Sequence, residues 1–179
     1  ILGVWDGGLA RYTHQELAGR VSVKDGAGFS DHATHVVGTM IASGLVPAAK
    51  GMATAASVYS YDWNNDKSEM ISMGAALSSD ATKVFISNHS YGYLRGWNYT
   101  GNDRPAKQPP RLWEWRGTGT NATLYNAYFG LYSESARDSD AIACSAPYYL
   151  MFRAAGNDRG DNPKEGQAVF VPGYSNVVS

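Results

Sequence analysis

Asp31-His32-Ala33-Thr34-His35-Val36-Val37-Gly38-Thr39 decides how this chain is read, because a polar start runs without a break into small and apolar residues. Aspartate is a good helix N-cap, so Asp31 is expected to cap a slim helix that continues through Met40, Ile41 and Ala42 into a core. That mount roots His32 at the mouth of the helix and leaves its ring free. A base that takes a proton from a hydroxyl near neutral pH needs such a mount, and a carboxylate to fix its tautomer. Upstream, Ile1-Leu2-Gly3-Val4-Trp5-Asp6 is a short apolar run ended by a carboxylate and Gly7-Gly8. A buried parallel strand delivers a residue to the carboxyl edge of a sheet in this way, and active sites of open α/β sheets collect there. Taken alone, Asp6 reads as a turn aspartate; paired with His32 it reads as the orienting carboxylate.

Four blocks in order, Val4-Trp5-Asp6-Gly7-Gly8, His32 to Thr39, Ser90-Tyr91-Gly92 and Arg153-Ala154-Ala155-Gly156-Asn157, resemble the subtilases, the subtilisin-like serine proteases. The resemblance implies a three-layer α/β/α fold with a mostly parallel sheet, an independent expectation from the alternation of strand and helix patterns. It also implies catalytic roles for Asp6 and His32, with the Asn157 amide in the oxyanion hole. Ser90, Tyr91 and Gly92 would bind the substrate backbone, and Ala154, Ala155 and Gly156 would form one wall of the pocket before the cleaved bond.

The family's nucleophile block, Gly-Thr-Ser, does not occur: Gly38-Thr39 is followed by Met40, Gly117-Thr118 by Gly119, and Gly119-Thr120 by Asn121. Residues 1–179 are therefore expected to be the amino-terminal part of a subtilisin-like peptidase domain, incomplete at its C-terminal side. A complementary C-terminal fragment would carry the serine. The expected function is serine endopeptidase activity on peptide or protein substrates. The competing reading is an inactive fragment or pseudoprotease serving as a peptide-binding or assembly module. A zinc hydrolase built on His32 and His35 fits poorly, since the spacing is three rather than four and no third ligand is near. The family reading makes His35 a packing residue of the helix. Gly38 is expected to let the helix approach a neighbouring strand closely.

The chain has 179 residues, 44% hydrophobic and 17% charged, enough to bury a core in one globular domain. A net charge of −1 and no basic run argue against nucleic acid or a polybasic membrane contact. No apolar run reaches the roughly 18 to 20 residues of a membrane span, and Ile1 to Asp6 already read as a core strand, so any signal or propeptide is expected to have been removed. The resemblance implies a secreted or extracytoplasmic protein. Cys144 is the only cysteine and is expected to be a buried apolar residue. No cofactor is required; calcium as a structural ion fits the family. Glu16, in His14-Gln15-Glu16-Leu17, is a weak candidate for it, the plainer reading being a solvated turn.

Further along, Ala56 to Asp62 reads as a strand and Asn64 to Asp80 as a helix with a core stripe of Met70, Ile71, Met73, Gly74 and Leu77. Lys83 to Asn88 reads as a central strand feeding an exposed edge at Ser90 to Gly92, where a peptide can add by main-chain hydrogen bonds. Leu94 to Gly119, with Trp97, Trp113 and Trp115, is longer than an ordinary connection. A helix is expected from Asn121, a second short one over Asp140 to Ala146, a strand over Leu150 to Ala155 and the start of another at Asn176. A half sheet would leave an open apolar edge.

Overall fold

The structure, a computed structural model, describes residues 1–93 and 130–157 and, beyond them, three short strands. In chain order the elements are β1 (Leu2–Asp6), β2 (Val21–Val23), α1 (Asp31–Ile41), β3 (Val58–Asp62), α2 (Asp66–Met73), β4 (Ile86–His89), β5 (Gly96–Tyr99), β6 (Trp113–Arg116), α3 (Glu134–Ser145), β7 (Leu150–Arg153) and β8 (Ala168–Phe170). They fall into two compact units, one of Ile1–Ser90 with Glu134–Ala154, the other of Tyr91–Ser133 with Ala155–Ser179.

The first unit holds a five-stranded sheet in the order β2-β3-β1-β4-β7, parallel throughout. Side chains alternate between its faces with period two. Val4 and Val58 point to the face where α1 lays Ala33, Val37 and Ile41, and with Ala10 and Leu17 they form the buried core. Trp5 points to the other face, where its indole meets Glu69 of α2. α2 packs with α3. The result is the three-layer α/β/α arrangement with a mostly parallel sheet. In the second unit β5 and β6 pair antiparallel and β8 joins β6 in parallel. Two parts of the Leu94 to Gly119 stretch are thus strands; the expected helix start over 121–129 and the strand at Asn176 lie outside the described residues.

Several sequence expectations change in the fold. The N-cap of α1 is Ser30, not Asp31: Ser30 has extended backbone, and its hydroxyl accepts the Ala33 N–H. Asp31 is then the first helical residue, where its charge favours the positive end of the helix. α2 stops at Gly74 rather than running to Asp80, because Gly74 turns extended and bridges Val84, with Tyr149 and Ala146 against the place a Cβ would occupy. Met70 is buried, whereas Ile71 and Leu77 are exposed. The helix expected over Asp140 to Ala146 is part of a longer one, α3, which starts at Glu134, and it presents Ile142 rather than Cys144 to the core, so Cys144 is exposed. His35 is exposed, and a Cβ on Gly38 would meet open space; that side of α1 faces a trough, not a strand.

The sheet face that α1 covers is not covered along its whole width. Leu2 pairs with Ile86, and Ile86 with Leu150, so Ile86, Leu150 and Phe152 extend the same face beyond Val4. Among the described residues no element packs over them, and they stand 41%, 55% and 54% exposed. The open apolar surface is therefore a face of β4 and β7 rather than a bare strand edge. No helix among the described residues is long and apolar enough to cross a membrane.

Candidate active site

Asp6 sits at the C-terminal tip of β1, the central strand, and is only 3% exposed. Its carboxylate accepts the Gly7 N–H at 2.7 Å, which fixes one oxygen. His32 lies in the first turn of α1, and its Nδ1 stands 2.8 Å from each Asp6 carboxylate oxygen. The His32 side chain is 58% exposed. Nδ1 thus faces the buried carboxylate while Nε2 makes no hydrogen bond among the described residues, the division of labour an orienting carboxylate and a general base require.

Local backbone bonding explains why the two groups meet. The segment after β1 is laced to the segment before α1: Leu9 N–H donates to the Gly28 carbonyl at 2.9 Å and Ser30 N–H to the Leu9 carbonyl at 2.8 Å. Arg11 N–H donates to Thr34 Oγ1, and Thr34 Oγ1 donates to the Ser30 carbonyl. Gly8 makes the lacing possible, with φ of +151° and space for no Cβ, which would lie 2.8 Å from the Gly28 carbonyl oxygen. Trp63, just after β3, lays its ring against Gly7.

Strand register sets the rest of the row. Trp5 pairs with His89 and His89 with Arg153, so Asp6, Ser90 and Ala154 leave the sheet side by side. Ala154 N–H donates to the His89 carbonyl at 3.0 Å, and Asn88 Nδ2 donates to Ser90 Oγ at 2.8 Å. Asp6, His32, Ser90 and Ala154 are therefore brought together in the first unit. Tyr91, half-buried, and the exposed Gly92, Ala155, Gly156 and Asn157 belong to the second.

Behind Asp6 lies a set of residues that motif reading missed. The Trp5 ring is stacked between Tyr61, at 4.4 Å and 4°, and His89, at 5.2 Å and 15°. His89 is wholly buried and bonds Ser87 Oγ, which also bonds the Tyr149 hydroxyl. Burial, with the nearby Arg153 charge, pushes the His89 imidazole down to about 3, and burial pushes Tyr149 up to about 12. His89 is thus a neutral structural histidine. The available signal was the two-residue alternation that puts Trp5, Ser87 and His89 on one face.

Glu16 is neither a solvated turn residue nor a free calcium ligand. It is 5% exposed, and its carboxylate accepts the N–H groups of Gly44, Leu45 and Val46 and the Ser43 hydroxyl. Those bonds, led by Val46 and Ser43, hold its acid constant down at about 2. The residue anchors the loop that follows α1. Among the described residues no three His, Cys, Asp or Glu side chains are arranged to hold a metal ion.

Comparison with curated proteins and with solved structures found no match. A family model does match: the one described as the Subtilase family, over residues 5–179. With its central-strand aspartate joined to a helix-borne histidine, and with the family model covering nearly its whole length, the chain belongs to the subtilase family of serine peptidases.

Proposed function

We propose that this chain supplies the acid–base and substrate-binding part of a serine endopeptidase whose nucleophile lies on polypeptide beyond these 179 residues. The observation that carries the reading is the 2.8 Å contact of His32 Nδ1 with the buried Asp6 carboxylate at the tip of the central strand. His32 Nε2 takes the serine proton as the hydroxyl attacks the peptide carbonyl, and returns it to the leaving amine. Asp6 holds the ring and stabilises the imidazolium. Asn157 contributes an amide donor to the developing oxyanion, and Ser90 to Gly92 with Ala154 to Gly156 bind the peptide backbone.

Two surface features support a second polypeptide segment. A trough of about 690 Å³ runs along α1 past Asp31, Thr34, Gly38 and Ala42, with Leu17 and Met52 across from them. Asp31, the residue before His32, is among its lining residues. The uncovered Ile86, Leu150 and Phe152 offer apolar area for the same segment. Action outside the cytoplasm is proposed with the family reading.

The test is fluorophosphonate labelling of the purified protein, with intact-mass analysis and peptide mapping of every polypeptide present. Label on a longer chain or a co-purifying fragment, lost in His32→Ala, is the expected result. Absence of label on every species of a folded sample overturns the enzyme reading and leaves a peptide-binding module.

A further inference from the structure

We infer that the loop joining α1 to β3 is held by charges of the chain itself and takes no structural metal ion: the Arg20 guanidinium stands among its carbonyl oxygens where a cation would, and its amides already bind the Glu16 carboxylate. The inference concerns this loop alone and goes beyond the proposed function, since neither His32 nor a serine enters it.

Resemblance to the subtilases made Glu16 a candidate calcium ligand, and calcium takes about six to eight oxygens, carboxylates prominent among them. The groups around Glu16 do not fit that ion. From Ala42 to Ser57 the sequence holds no Asp or Glu, so the loop brings no carboxylate of its own. Glu16 Oε2 accepts the Ser43 hydroxyl at 2.7 Å and the N–H groups of Gly44 at 2.7 Å and Leu45 at 3.1 Å, while Oε1 accepts the Val46 N–H at 2.9 Å. Successive N–H groups of this kind make a nest for an anion, and here the anion is a side chain of the same protein. A metal ion on Glu16 would have to displace those donors and leave backbone N–H groups without acceptors, which is costly.

The carbonyl oxygens are taken as well. Arg20 Nη1 donates to the carbonyls of Ile41, of Thr54 at 2.8 Å and of Ala56 at 3.5 Å, and Nη2 donates to that of Glu16 at 2.6 Å. Carbonyls from three separate stretches thus converge on one positive group, as they would on a bound cation. A planar guanidinium meets them with directed N–H bonds and keeps its charge at any pH the fold survives. The neighbouring carbonyls of Thr39, Met40 and Ala42 accept the N–H groups of Met52, Ala53 and Gly51. Glu16 links the two halves of the arrangement, with its carbonyl on Arg20 and its carboxylate on the loop amides.

The experiment is proton–nitrogen NMR of the chain, with calcium raised from an EGTA-treated sample to about 10 mM, above the roughly millimolar dissociation constants of weak protein calcium sites. The Gly44, Leu45 and Val46 amide signals are expected to keep their shifts and their slow hydrogen exchange throughout. A saturable calcium-dependent shift, or faster exchange, at these three amides overturns the inference, whatever signals move elsewhere in the chain. In Arg20→Met and in Glu16→Gln the same amides are expected to exchange at least about tenfold faster. Exchange within about twofold of wild type in both variants means that the two charges do not hold the loop, and it too overturns the inference. Arg20→Lys, which keeps a positive charge but reaches fewer carbonyls, serves if Arg20→Met does not fold, with the same outcomes. Fluorophosphonate labelling reads none of these amides, so a failure here is distinct from a failure of the enzyme reading.

Discussion

Replacing Arg20 by methionine is expected to cost about 3 kcal/mol of stability, because this one guanidinium closes the far end of the helix that carries His32. Its Nη1 donates to the carbonyls of Ile41, Thr54 and Ala56, and its Nη2 to that of Glu16 at 2.6 Å. Ile41 ends α1, so its carbonyl has no partner within the helix. A hydrogen bond from a charged donor contributes about 1.5 to 3 kcal/mol. The half-buried site lets some carbonyls recover water, so two such bonds at the low end, about 3 kcal/mol, are a fair sum. That is a drop of about 100-fold in the folding equilibrium, or about 6 to 12 °C in Tm for a chain of this size. Methionine keeps the apolar stem, which separates lost donors from lost packing. Arg20→Lys, with a point charge that reaches one or two of the carbonyls, should lose about half as much. Urea unfolding followed by tryptophan fluorescence, at constant m, measures both. A methionine variant within about 0.5 kcal/mol of wild type, or a lysine variant as damaged as the methionine one, refutes the carbonyl-clamp reasoning.

Three further outcomes are expected. Glu16 has its acid constant lowered from 4.5 to about 2, so the stability its charge contributes is present above pH 4.5 and lost as pH falls through about 2. Thermal melts should show Glu16→Gln less stable at pH 7 and the gap to wild type closing over that acid window. Two glycines of the same region should answer alanine in opposite ways. Gly38→Ala meets open space and should raise stability through helix propensity, by about 1 kcal/mol; the Cβ of Gly51→Ala would collide with the backbone of Ile41 and Ala42 and should unfold or badly destabilise the chain. Asp6→Asn should leave the melt nearly unchanged yet lower kcat of the serine-complete enzyme by about 10⁴-fold, since the amide presents the wrong hydrogen-bonding pattern to His32; a loss below tenfold would remove Asp6 from that role.

Much of the chemistry was legible before any fold was available. Asp6 after an apolar run and His32 at a helix mouth are local patterns, and local pattern is what fixes a residue at a strand tip or a helix start. The strand over Ala56 to Asp62 and the one ending near Arg153 were legible for the same reason. Residues whose roles depend on a distant partner were not. Glu16 looked like a turn residue because its ligands, the N–H groups of Gly44 to Val46, are nearly thirty positions away. His35 and Gly38 read as packing residues because a helix pattern gives its apolar stripe but not what lies opposite the other side.

The sequence by itself determined the class of fold and the order of the blocks and pointed to the two residues that meet at the strand tip, Asp6 and His32, since hydrophobic period and glycine placement act over a few neighbouring positions. Only the tertiary structure decided that Trp5 is clamped between Tyr61 and His89 and tied to Glu69, and that a trough runs along α1 past Thr34 and Gly38. Those facts depend on strand order and register, which place residues dozens of positions apart in contact, and on the faces left uncovered once the helices have packed.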